Sequence, residues 1–242
     1  MKNYTIAEQF AVIALNAQDS LHESVAKNVA VAGIAAAKTV QTLLYEEENR
    51  DAAVFEQKLR EQLDGIKKMK RKERNALEKE FTDILKAEGI LKEIPNLLGC
   101  DMNYYTANVT MREYKSDSTL YQSIIKKIRT CALEQMELPE DIVILLWLFR
   151  ESGCMHDIFS QEEQEKVRIK LIQAAEEKSL YKAILEQEFH SAVWLLGLKF
   201  MNWKHKIFTN PYLEGVNLMF PFLDRRQAIF IDMVIMGTSV KD

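Results

Sequence analysis

Ser24-Val-Ala-Lys-Asn-Val-Ala-Val-Ala-Gly-Ile-Ala-Ala-Ala-Lys-Thr-Val-Gln-Thr-Leu-Leu-Tyr45 is the stretch whose reading decides the fold. Val25, Val29, Ala32, Ala36, Val40 and Leu43 recur in it at spacings of three and four, the period of a helix face and not of a strand. Alanine is also the best helix former. Small side chains let a neighbouring helix approach closely, so the stretch is expected to be the central helix of a helical core. Gly33 within it then marks close packing rather than a break.

Working outward, Thr5 and Glu8 form a capping box for a helix whose Ile6, Phe10, Ile13 and Ala14 share a face. Gln18-Asp19-Ser20 reads as a turn. After the central helix, residues 46–74 are the most charged part of the chain and carry Val54, Phe55, Leu59, Leu63 and Ile66 at helical spacing. A further helix over 74–88 holds Leu77, Phe81, Ile84 and Leu85, and Gly89 suits its end because glycine tolerates a left-handed backbone. Residues 90–95 and 103–111 favour extended structure, which predicts a β-hairpin around residues 90–111. Helices are expected again over 117–134, 139–152, 160–177 and 179–205. Pro139 suits a first turn, Gly153 a helix end, and Ser160 with Glu163 a second capping box. The tail from Thr209 ends in an apolar run, Ala228 to Met236, that fits a helix or a strand.

Four prolines and eight glycines in 242 residues favour long helices over many short strands. No linker of Gly, Pro or Ser interrupts the chain, so a single, mainly α domain over 1–242 is expected. A net charge of -4 gives no global attraction to nucleic acid or anionic lipid. Cys100, Cys131 and Cys154 are odd in number and widely spaced, the pattern of free thiols in a reducing compartment. Neither a signal peptide nor an apolar run of the ~20 residues a membrane span requires is found, so a soluble cytoplasmic chain is expected.

The usual chemical signatures are missing. The eight glycines lie at least ten positions apart, which excludes loops that cradle phosphates with clustered backbone amides. Neither Glu-x-x-His nor His-Glu-x-x-His occurs around His22, His156, His190 or His205, so no metal or cofactor is expected. Cys154 with His156 is a conceivable nucleophile and base, but near neighbours in sequence rarely present that geometry. The acidic clusters Glu162-Glu163-Glu165 and Glu186-Glu188 fit solvated helix faces with ion pairs better than a carboxylate dyad. The local charge feature that stands out is the run Lys67, Lys68, Lys70, Arg71, Lys72 and Arg74, interrupted by Met69 and Glu73. Such a run suits phosphates of acidic lipid or nucleic acid, or simply a solvated junction between helices. Without interleaved aromatics it does not suit stacking on single-stranded bases.

Three pieces of sequence, in order, carry a resemblance. They are Ile6 to Asn16 with the small-residue helix around Gly33, Ile84 to Leu91 leading into the hairpin, and Pro139 to Gly153 followed by a basic helix with Arg168. Together, over residues 4–175, they resemble the Golgi phosphoprotein 3 family, with residues after 180 forming a C-terminal extension. The resemblance implies a helical bundle core wrapped by amphipathic helices with a protruding hairpin. It also implies a non-enzymatic peripheral membrane protein that binds phosphoinositide headgroups and protein tails, here on the cytosolic membrane face. The family's pocket residues, a tryptophan and three arginines, correspond to His22 or Glu23, Ala32, Asn75 and Glu78, so none is retained. The basic run 67–74 is the expected substitute, and Leu97 and Leu98 match the family's apolar hairpin tip that meets the bilayer. The other reading is a soluble interaction module without a lipid role, self-associating through the hairpin or the apolar tail from Ala228 to Met236.

Overall fold

The Thr5 hydroxyl accepts from the Glu8 amide at 3.2 Å and the Glu8 carboxylate accepts from the Thr5 amide at 2.7 Å, so the first helix begins where the capping box puts it. The structure is a computed structural model and describes residues 4–16, 23–46, 51–94 and 113–189. Its elements in chain order are α1 (Ile6–Ala14), α2 (Glu23–Tyr45), α3 (Ala52–Lys68), α4 (Arg71–Ala87), β1 (Leu91–Ile94) and β2 (Glu113–Ser116). They continue as α5 (Ser118–Leu133), α6 (Glu140–Ser152), α7 (Met155–Ile158), α8 (Gln161–Glu177) and α9 (Ser179–Leu185). The fold is mainly helical with an antiparallel β-hairpin, as the sequence predicts.

Two helices make the core. In α2 every residue from Val29 to Ala37 is buried, and in α6 every residue from Ile142 to Phe149 is buried. A helix apolar on all sides needs neighbours on all sides. Accordingly α2 packs on α1, α3, α4 and α6, and α6 packs in turn on α1, α5, α7 and α9. The Phe10 and Phe149 rings meet at 5.4 Å between centroids, and Trp147 meets Phe189 edge to face at 5.4 Å. Each such buried ring stabilises the fold by about 1.5–3 kcal/mol through burial alone. The small residues of α2 permit this approach: a Cβ on Gly33 would stand 2.5 Å from Phe10 Cε1.

Helix ends follow local chemistry. At Gly89 (φ +72°) the Ile90 amide donates back to Leu85 and the Gly89 amide to Lys86, closing the carbonyl end of α4. Gly153 (φ +74°) closes α6 in the same way, with Cys154 donating to Phe149 and Gly153 to Arg150. Pro139 sits one place before its helix as the N-cap, its carbonyl accepting from Ile142 and Val143.

Several expectations are corrected. α4 begins at Arg71, earlier than residue 74, because the Glu73 carboxylate accepts from the Lys70 amide at 2.7 Å and caps the start. The strand that pairs with β1 is Glu113–Ser116, with Leu91 opposite Ser116 and Glu93 opposite Tyr114, while the strand expected at 103–111 lies outside the described residues. That register buries Tyr114 and lets Ser116 donate its hydroxyl to the Val12 carbonyl and its amide to Asn16 Oδ1. Helix α9 stops at Leu185 instead of running on, and α7 is a short helix the periodicity does not announce. Arg150 Nη2 takes the Leu185 carbonyl at 2.6 Å, and Trp147 Nε1 takes that of Gln187 at 2.9 Å. Carbonyls that a continuing helix would use internally are therefore satisfied by α6. Val54 and Ile84, expected on buried faces, are exposed. The hairpin tip with Leu97 and Leu98, the turn at 18–20 and the apolar tail 228–236 lie outside the described residues.

Candidate functional site

The basic run spans the corner where α3 ends and α4 begins. Lys67 and Lys68 form the last turn of α3, Met69 and Lys70 are extended, and Arg71, Lys72 and Arg74 lie in the first turn of α4. The corner is held from beneath: Ile66 is buried and Met69 packs against the core, while its amide donates to Ile66 at 3.1 Å. α3 leans on α2 and α9, whereas α4 leans on α2 and β1. The anchors face inward and the ammonium groups are left outward.

Charge at this corner is lopsided. The six cations face Asp64 and Glu73, leaving +4 over residues 64–74. Lys67 pairs with Asp64 at 3.2 Å. Glu73 is spent on the Lys70 amide. Lys68, Lys70 and Lys72 are exposed and hold no carboxylate among the described residues. Lys67 and Lys68 complement the carbonyl end of α3, but cations in the first turn of α4 oppose the helix dipole there. Helix stability therefore gives no reason for the second group, and an anion brought to the corner would relieve it.

The positions matching the resemblance's headgroup pocket lead elsewhere. Ala32 is buried in the core, Asn75 is exposed, and Glu78 accepts from the Tyr114 hydroxyl at 3.0 Å. The fourth, His22 or Glu23, is not among the described side chains. Tyr114 lies on the hairpin, so Glu78 serves to fasten β2 to α4. Lys86 completes the clasp, reaching Asp83 at 2.9 Å and Glu93 at 3.2 Å, with its ammonium 5.9 Å from the Tyr114 ring centre. Its hydrogen bond to Asp83 holds the ammonium pKa above the usual lysine value, and burial pushes the Tyr114 phenol up. Sequence reasoning missed this polar cluster. Its signal is the Tyr-x-Ser spacing of Tyr114 and Ser116, which puts both on one strand face.

Three of the clustered acids, Glu163, Glu165 and Glu186, are held in ion pairs. Glu163 takes Arg129 in a fork, at 2.6 and 3.0 Å, while also accepting from the Ser160 amide. Glu165 pairs with Arg168, and Glu186 lies 3.9 Å from Lys182. Arg129 also donates to the Ile158 carbonyl, so one guanidinium joins α5, α7 and α8. Cys131 and Cys154 are free thiols. Burial pushes Cys154 up to about 12, opposite to what an activated nucleophile needs. Among the described residues no cluster of His, Cys, Asp and Glu could hold a metal ion, and no helix is long and apolar enough to cross a membrane. Compared with known proteins, the chain matches no family model, no curated protein and no solved structure.

Proposed function

We propose that this chain is a non-enzymatic peripheral binding protein that docks on an anionic membrane surface through the α3–α4 corner. The carrying observation is the exposed trio Lys68, Lys70 and Lys72, set outward on a corner whose apolar residues are anchored inward. The resemblance to the Golgi phosphoprotein 3 family supports the same reading from the sequence side. Near an anionic membrane each lysine contributes about 1 kcal/mol. Three of them give a weak, reversible association, so a second contact is needed for stable docking. Leu97 and Leu98 are the proposed second contact. Sedimentation with vesicles, with and without anionic lipid, tests the reading. Pelleting that depends on anionic lipid and is lost in the triple variant Lys68→Gln, Lys70→Gln, Lys72→Gln supports it. Equal, negligible pelleting with both vesicle types sinks it.

A second reading has its own observation. Ile169 and Ile172 lie exposed on the outer face of α8, and Met136 is fully exposed between α5 and α6. Under this reading the chain is a helical interaction module that self-associates without lipid. Light scattering separates the two, since a strict monomer that pellets with vesicles leaves only the first.

A further inference from the structure

We infer that the outward stripe of α8 is the seat of this chain's own segment 190–208, held there by apolar contact and by pairing of its lysines with carboxylates, independently of the α3–α4 corner. α8 is buried along Gln164, Val167, Leu171 and Ala174. At about 100° per residue, its opposite side carries Glu162, Glu165, Ile169, Ile172 and Glu176 at spacings of three and four. The outer side of a surface helix is ordinarily polar. Here two isoleucines, each 46% exposed, stand at its centre between carboxylates. Arg168 is turned to Glu165, and Lys170 donates to the Gln135 carbonyl at 2.8 Å. Glu162 and Glu176 are exposed and hold no cation among the described residues. The stripe therefore fits an apolar segment that carries cations and no acid.

The chain itself supplies one. From Phe189 to Leu213 it holds Lys199, Lys204 and Lys206 and not one Asp or Glu. Trp194, Leu195, Leu196, Leu198, Phe200 and Trp203 lie in the same stretch. Its starting point is close to the stripe, because α9 packs on α8 and Phe189, four residues after α9, is buried against Trp147. An extended chain covers about 3.3 Å per residue and α8 is about 25 Å long, so the segment reaches any point along the stripe. A tether this short gives an effective concentration on the order of mM, so the same segment of a second copy does not compete in dilute solution. The apolar face that a second copy would use is then filled within one chain.

The test digests the dilute full chain with chymotrypsin and follows cleavage after Trp194, Phe200 and Trp203. The expected result is slow cleavage in the parent and cleavage at least about tenfold faster in Ile169→Gln with Ile172→Gln, and in Glu162→Lys with Glu176→Lys. Tryptophan emission should shift to the red in both, as Trp194 and Trp203 enter water. Lys199→Glu, Lys204→Glu and Lys206→Glu together should also speed cleavage, and combining them with Glu162→Lys and Glu176→Lys should restore protection, which a general loss of stability would not do. The substituted stripe residues are exposed, so unchanged circular dichroism is expected and establishes that the variants are folded. Equal cleavage of parent and stripe variants, whether fast or slow, overturns the inference, and so does failure of the charge swap to restore protection. Protection that falls on dilution, with dimers seen by light scattering, gives the stripe to a second copy and overturns docking within one chain.

Discussion

Replacing Gly33 with alanine sets two effects of opposite sign against each other. On helix propensity alone, alanine inside a helix is favoured over glycine by about 1 kcal/mol. Packing argues the other way. The new methyl would stand 2.5 and 2.6 Å from two carbons of the Phe10 ring and 3.4 Å from Phe189 Cζ. Phe10 is fully buried against Phe149, and Phe189 is fully buried against Trp147, so neither ring has room to retreat. Overpacking of a tight core costs about 1–3 kcal/mol, and two fixed rings place this case near 3. The net expectation for Gly33→Ala is a loss of about 2 kcal/mol, or about 4–8 °C in Tm for a chain of this size. Urea and thermal denaturation measure it. Gly65 supplies the control, being exposed on α3 with nothing within 4 Å of its would-be Cβ. Gly65→Ala should therefore stabilise by about 0.5–1 kcal/mol. Adding Phe10→Leu to Gly33→Ala should recover part of the loss, a favourable coupling of about 1–2 kcal/mol. A Gly33→Ala protein as stable as the parent would refute the packing argument.

Other perturbations follow from the same contacts. Trp147→Phe keeps most of the buried ring but strips the donor from the Gln187 carbonyl, and should cost about 1–3 kcal/mol by urea denaturation. Glu163 is held below its ordinary carboxylate range, first by the hydrogen bond from Arg129 and then by the Ser160 amide. Its folded pKa is the lower one, so its contribution is present above the unfolded value of about 4.3 and is lost as pH falls through the folded value. Glu163→Gln should therefore lower the urea midpoint at pH 7 and flatten its decline into acid, and an unchanged acid slope would contradict the pairing. With its thiol pushed up to about 12, Cys154 in a Cys100→Ser background should resist a thiol-specific dye at pH 8 until urea unfolds the chain. Tyr114→Phe removes the hydroxyl that Glu78 accepts and should loosen the hairpin, read as faster amide exchange in β1 and β2 with little change in α6.

The basic corner was legible as a run of cations, because charge is written in residue type. Which lysines remain open was not. That depended on Asp64 reaching Lys67 and on Glu73 turning to the Lys70 amide. The replaced pocket positions show the same limit. Glu78 read in sequence as an acid where the resembling family has a cation, and only the fold gave it Tyr114, 36 residues away, as a donor.

The sequence by itself determined the helical class, the packed role of the small-residue helix, the capping boxes at Thr5 and Ser160, and the helix ends at Gly89 and Gly153. The helix periodicity, the capping boxes and the glycine ends depend on groups within a few residues, so what decides them is present in any local stretch. Tertiary structure decided the rest. The return strand falls at Glu113–Ser116, where Ser116 bonds Val12, 104 positions away, and α9 stops where Arg150 takes the Leu185 carbonyl and Trp147 that of Gln187 just beyond it. Gly33 is read in the sequence as a sign of close packing, but the rings that would meet a Cβ there come from α1 and from Phe189. Those partners are assembled only when the chain closes on itself, and no local periodicity names them.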